Sequence, residues 1–301
     1  MNASFNPDPA SVPGNPDPFF WRNLWRQQKY VRCTAPGFED SAAYWGRRKN
    51  ATDLYVKSRT RQAWQGKVEA QFRAMNIPAG ARVLDIGAGT GTHAVPLAAG
   101  GCDVTVVEPS EAMREELEKN RLLAGAGPVT IIPKRWEDIS HKELGESFDV
   151  VIASYSLSMQ DIGDAVQKIQ SCSRGAVHLF WFLTPPSWAR VSRDVWPLLH
   201  GREYPAEPLA DCLWQALYEM GIYANLTTER KNETVYTAAE EAVQEYAQRL
   251  DCRDERDTAI LQNYFTTTLR HYGRGLVLPG ASISAHIWWQ NDTSGKTGHL
   301  P

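Results

Sequence analysis

From Val83 onward, short runs rich in β-branched and aromatic residues alternate with longer stretches whose apolar positions recur every three or four residues. This alternation predicts a parallel α/β sheet with helices on both faces. Seven runs read as strands: ARVLDIG (81–87), DVTVVEP (103–109), VTIIPKRW (129–136), FDVVIASYS (148–156), AVHLFWFL (176–183), IYANLTTE (222–229) and ASISAHIWW (281–289). Several are apolar almost throughout, as strands covered on both sides are. Between them, Ser110 is placed to cap the helix EAMREELEKNRLLAG. There Met113, Leu117, Leu122 and Leu123 form one stripe and Gly125 is the stop. Residues 161–172 and 209–221 read as helices after the fourth and fifth strands. The order is five β-α units, a sixth strand and a seventh.

Three segments fall outside that frame. Residues 19–80 are helical, Trp- and Arg-rich material ahead of the first strand. Residues 184–210 form an irregular, Pro- and Trp-rich insertion. Residues 230–275 carry two helices, about 238–250 and 254–272. The last two leave from the C-terminal ends of parallel strands, the edge where open α/β sheets bind ligands. Loops of such length in a compact domain are more often lids than idle connectors. The expected division is therefore a Pro-, Asn- and Asp-rich disordered tail (1–18), a helical cap segment (19–80), and a main domain (81–301) with cap insertions at 184–210 and 230–275.

Composition narrows the function classes. The 301 residues carry 32 Lys plus Arg against 35 Asp plus Glu, a net charge of −3 that argues against a phosphate-backbone binder. No apolar window is long enough for a membrane span. The N-terminus lacks the basic region and apolar core of a secretory signal. Five dispersed cysteines, without a C-x-x-C pair, read as reduced thiols, and the seven histidines show no metal-ligand spacing. A cytoplasmic protein without a resident metal is expected.

The stretch VLDIGAGTG (83–91) carries the candidate chemistry. Gly87, Gly89 and Gly91 give G-x-G-x-G, with Thr92 where the dinucleotide fingerprint has its third glycine. No G-K-[ST] follows, so a Walker-type loop is excluded. Asp85 ends the first strand at the mouth of this turn. A carboxylate there repels a pyrophosphate and suits an ammonium. Glu108, at the end of the second strand and 21 residues after Gly87, stands where an acid takes two ribose hydroxyls. A ribose-bearing ligand with an ammonium and no phosphate is S-adenosylmethionine.

With these residues in view, VLDIGAGTGTHAVPLAAGGCDVTVVEPS and FDVVIASYSLSMQDIGDAV (148–166) resemble a class I S-adenosylmethionine-dependent methyltransferase of the small-molecule type. The resemblance implies a doubly wound, Rossmann-like sheet of seven mostly parallel strands. The last strand inserts antiparallel between the fifth and sixth. It also implies that Asp85, Gly87, Ala88, Gly89 and Gly91 surround the methionine part of the cofactor, that Glu108 takes the ribose, and that Pro109 and Met113 pack the adenine. Ser154 forms the floor beneath the methionine. In KRWEDI, Arg135 stands where the family often has an acid, so Trp136, Glu137 and Asp138 are all candidates for the adenine partner. S-adenosylhomocysteine is then the product.

The acceptor side is less marked. The fourth strand ends ASYSL rather than N-P-P-[YF], which lowers nucleic acid bases and amides as acceptors. Tyr155 and His200 are the candidate acid–base residues. Tyr44, Tyr155, Trp181, Arg202 and Tyr204 are candidate acceptor contacts, with Trp45, Tyr55 and Glu203 beside them. His178, among apolar residues, reads as a core histidine. An enclosed small-molecule acceptor is the favoured reading. An RNA or protein methyltransferase, supported by the arginine-rich run 48–62, and a catalytically silent cofactor-binding partner protein stay open.

Overall fold

The computed structural model describes residues 17–35, 38, 41–47, 62–145, 147–231, 235–250 and 252–291. The tail as far as residue 16, Tyr55 and all but the last residue of the arginine-rich run lie outside these. Among the described residues three helices come first: α1 (Phe20–Thr34), α2 (Ser41–Gly46) and α3 (Gln62–Met75). The main body follows as β1 (Arg82–Ile86), α4 (Ala94–Ala99), β2 (Asp103–Val107), α5 (Glu111–Leu123), β3 (Val129–Ile132), α6 (His141–Leu144), β4 (Phe148–Ser154), α7 (Ile162–Cys172) and β5 (Ser173–Phe182). Then come α8 (Ser187–His200), α9 (Ala210–Glu219), β6 (Asn225–Lys231), β7 (Val235–Tyr236), α10 (Ala239–Arg249), α11 (Glu255–Thr268), β8 (Arg270–Tyr272), β9 (Gly275–Val277) and β10 (Ser282–Gln290).

The seven-stranded sheet has the order β3-β2-β1-β4-β5-β10-β6, parallel except for β10, which runs antiparallel to both neighbours. Each long strand divides its side chains between two cores, because successive residues point to opposite faces. On one face Val177, Leu179 and Trp181 of β5 join residues of α7 and α9, with Trp25 of α1 wholly buried among them. On the other, Phe180 joins Val83, Val95, Leu97 and Leu117 with α4 and α5. Reversal from strand to helix puts every β-to-α connection of the parallel strands at one edge, which is where the site is built.

Helix α1 is fixed to the body at several points. The backbone N–H of Trp21 donates to Glu219 (2.7 Å), Trp25 Nε1 to the carbonyl of Met159 (2.9 Å), and Arg26 pairs with Asp161. Arg32 bonds to Tyr204 Oη (3.1 Å) and the Pro205 carbonyl (3.0 Å) and pairs with Glu207. The N-terminal segment thus lies across the same edge as the connections after β4 and β5.

Residues 184–210 are not irregular throughout. Fourteen of them form α8, despite Pro197 inside it. That proline sits in the last turn and removes only one ladder bond, while Val191, Val195 and Trp196 bury one face. They build a third core with Tyr246 of α10 and Leu261 and Phe265 of α11. The second helix of the 230–275 insertion ends at Thr268, short of the expected 272. The chain then pairs into a small sheet of order β7-β9-β8 that the sequence pattern does not show. None of the five cysteines forms a disulfide. Among the described residues, no helix is long and apolar enough to cross a membrane.

Ser110 caps α5 as its position predicts: its Oγ accepts the Met113 N–H at 3.2 Å. The same hydroxyl donates to the Trp45 carbonyl at 2.8 Å, tying α2 to the start of α5. Ser110→Ala is expected to cost about 1 kcal/mol from the lost cap. A thermal melt should show a fall of a few degrees, whereas an unchanged melting temperature would mean that the Met113 N–H finds another acceptor.

Candidate active site

The glycine turn after β1 is shaped by contacts on both sides. Gly87, Gly89 and Gly91 all have positive φ, at +71°, +57° and +84°. A Cβ on Gly87 would lie 2.4 Å from Ser156 Cβ, and one on Gly91 would lie 2.7 Å from Val95. A Cβ on Gly89 would meet nothing within 4 Å, so that side of the turn is open. Asn120 Nδ2 of α5 holds the turn from behind through the Thr90 carbonyl (2.8 Å), while Ala88 is buried beneath it.

Asp85 stands at the mouth of this turn and is 1% exposed. One carboxylate oxygen accepts the Ala94 N–H at the start of α4; Oδ2 has no partner among the described residues. Burial, followed by the nearby Glu108 charge, pushes its pKa up to about 7, against the opposing hydrogen bond from Ala94. A buried acceptor left unpaired costs about 1–3 kcal/mol, so it marks a place where a donor is wanted. Glu108 is also buried. Its two oxygens accept N–H groups from Gly89 (2.8 Å) and Ser110 (2.9 Å), and burial raises its pKa despite them. Each oxygen keeps a second lone pair, the capacity two hydroxyls need. Arg114 fixes the turn after β2 by donating to the carbonyls of Glu108 (3.0 Å) and Pro109 (2.7 Å). The structure therefore gathers two carboxylates and one glycine turn, and among the described residues no fixed cation faces Asp85 Oδ2.

Met113 is buried, and the residue packed on it is Trp45 rather than Tyr44. Tyr44 packs edge-on against Trp45, with the Arg47 guanidinium 5.1 Å from its ring. Ser154 is half-buried at the end of β4. Tyr155 follows with φ +56°, a strained value for a bulky residue and a common sign of a functional strand end. Its ring stands 4.9 Å from that of Phe182, and burial raises its pKa, so the phenol stays protonated.

Several expected site residues turn elsewhere. Trp136 is 3% exposed in the core, its Nε1 bonded to the Ala165 carbonyl (3.2 Å). The carbonyls of Trp136 and Glu137 are taken by Lys168 Nζ, which leaves the exposed side chains of Glu137 and Asp138 facing outward at the end of β3. Trp181 does not wall a pocket either. It faces the α1 side of the sheet and donates to the Pro208 carbonyl at 2.8 Å. The exposed His200 and the half-buried Tyr204 stand against Trp196 of the third core, and Arg202 and Glu203 are exposed beside them. His178 is buried in the sheet face, its Nδ1 3.0 Å from His286 Nε2. Two residues near Asp85 escape sequence reasoning: His93, 4% exposed between the turn and α4, and Gln71 of α3, whose Oε1 lies 3.0 Å from His93 Nε2.

Residues 83–175, from the turn through the start of β5, match the family model of a methyltransferase domain. Over these residues the chain carries a methyltransferase domain. Its sheet order and single antiparallel strand are those the sequence resemblance implies. The chain is similar over 156 residues (34% identical) to an uncharacterized protein of Haemophilus influenzae, covering 52% of this chain and 56% of that protein. It is also 34% identical over 119 residues to a demethylmenaquinone methyltransferase of Clavibacter sepedonicus, covering 40% of this chain and 44% of the relative. The chain thus spans about half the length of the curated relatives it matches. Among solved structures, a methyltransferase from Thiobacillus denitrificans in complex with S-adenosyl-L-homocysteine shares the fold. Its TM-score is 0.50 at 16% identity, over 81% of this chain and 98% of that one.

Proposed function

We propose that this chain transfers a methyl group from S-adenosylmethionine to a small-molecule acceptor enclosed beneath a helical cap. Asp85 carries the reading: a buried carboxylate with an unpaired oxygen at the mouth of a glycine turn suits an ammonium and repels a pyrophosphate. Gly87, Ala88, Gly89 and Gly91 would hold the methionine part with Asp85. Glu108 would hold the ribose, and Pro109 and Met113, backed by Trp45, the adenine. Ser154 would floor the site, and the exposed Glu137 side chain is the candidate for the adenine amino group.

When bound, this cofactor supplies an electrophilic methyl group. The chain's part is to align the acceptor against it, and positioning alone is worth about 7–11 kcal/mol. Tyr155, kept neutral by burial and with its hydroxyl engaged by Ser284, would border the acceptor rather than act as a base. The described parts of residues 19–80, 184–210 and 230–275 would form the cap. Its docking through α1 and α8 favours a site closed to water over an open polymer groove. The relative named for demethylmenaquinone methylation supports the same acceptor class.

Calorimetric titration with S-adenosylhomocysteine, with NAD in parallel, tests the cofactor. Binding of the former alone is expected. Binding of NAD, or of neither, would sink the reading.

A further inference from the structure

Besides Asp85 Oδ2, a second polar atom near the turn is buried without a partner, and it is of the opposite kind. Gln71 is 4% exposed on α3, and its amide Nε2 has no hydrogen-bond partner among the described residues. Its other amide atom, Oε1, receives His93 Nε2–H at 3.0 Å, which fixes the plane of the amide and leaves the NH₂ group pointing away from His93. The ring of His93 is itself held, lying 6.2 Å from the parallel ring of Phe180 and 5.6 Å from that of Phe72. His93 adjoins Ala94, whose N–H donates to Asp85. An unpaired acceptor and an unpaired donor are thus linked through two consecutive residues at the head of α4.

One kind of ligand group needs both. An α-amino acid carries an ammonium and a carboxylate on the same carbon, so a site that takes the first must provide for the second close by. No Lys or Arg does so in the Asp85–Ala94–His93–Gln71 chain of contacts; the donor it offers is the amide of Gln71. We infer that Gln71, fixed by His93, binds the carboxylate of the cofactor's amino acid end, opposite the ammonium held by Asp85. The inference rests on the cofactor reading above and adds to it a positioning residue from the N-terminal segment. It also gives α3 a part in the site: the helix that precedes β1 brings the anion-binding group to the turn that follows it.

The test compares two ligands, S-adenosylhomocysteine and 5′-methylthioadenosine, which keeps the nucleoside and thioether and lacks the amino acid. Gln71→Leu preserves the bulk and removes the donor. Gln71→Glu preserves the shape and adds a repelling charge. Titration calorimetry should show S-adenosylhomocysteine bound roughly ten- to hundredfold more weakly by both variants, the range of a hydrogen bond to a charged group. Methylthioadenosine should bind all three proteins alike, which also certifies their fold. Equal weakening of the two ligands would assign Gln71 to the packing of α3 and overturn the inference, as would unchanged binding of both. Failure of the unaltered protein to bind either ligand would instead remove the cofactor reading itself.

Discussion

Asp85→Asn is expected to weaken S-adenosylhomocysteine binding by roughly ten- to hundredfold, the loss of one charge-assisted hydrogen bond, while the fold persists. Asn keeps the acceptor for Ala94 N–H and removes the charge that an ammonium needs. The same group makes binding pH-dependent. Its pKa of about 7 in the folded chain lies above the unfolded value of 3.8, so the folded state holds more protons between those limits. Stability therefore falls as pH rises from about 4 to about 7, and the Asn variant should lose this part of the dependence. An ammonium beside Asp85 favours the ionised form, so binding at pH 6 should release a proton. Calorimetry in two buffers of different ionisation enthalpy reads that proton directly. Release that persists in Asp85→Asn, or an affinity the substitution leaves unchanged, would show that the ligand's cation sits elsewhere.

Gly87→Ala should destabilise the protein by about 2–5 kcal/mol, combining the left-handed backbone cost of a Cβ with overpacking. The added atom would fall 2.4 Å from Ser156 Cβ, and Ser156 has little room to yield because its Oγ donates to the Ile86 carbonyl at 2.5 Å. A drop in the urea midpoint at constant slope is the expected signature. Adding Ser156→Gly should recover the steric part and leave the backbone part. A single variant as stable as the parent would mean that the turn relaxes without cost, and the close approach of β1 and β4 would then be incidental.

The sheet was legible because its strands are strong β-formers set between clear stops, and all seven runs became strands of the large sheet. Helix α8 was hidden by Pro185, Pro186 and Pro197, which read as breakers. The spacing of Trp188, Val191, Val195 and Leu199 was the signal that outweighed them. The small sheet could not be seen, since strands of two or three residues are too short to show an alternation. In the site, Asp85 and Glu108 stand out by their spacing from the glycines. Gln71 does not: a glutamine on an amphipathic helix looks like a surface residue until its neighbours are known. Trp181 misled for the opposite reason. Its place at a strand end suggested the site, but the parity of β5 turns it to the α1 face, beside Val177 and Leu179.

The placing of β10 bears on how the chain reaches this structure. In space it lies between β5 and β6, yet it is made after both, and β6 has no other partner in the large sheet. During synthesis β6 emerges about fifty residues before the strand that pairs with it, and β5 waits longer still with one edge open. Long-range pairing of this kind is slow to form and leaves apolar strand edges open to other chains. A nascent chain stalled before Ser282 would expose the edge carrying Val177, Leu179 and Trp181, so the vulnerable stage in forming this sheet is the interval before β10 is made.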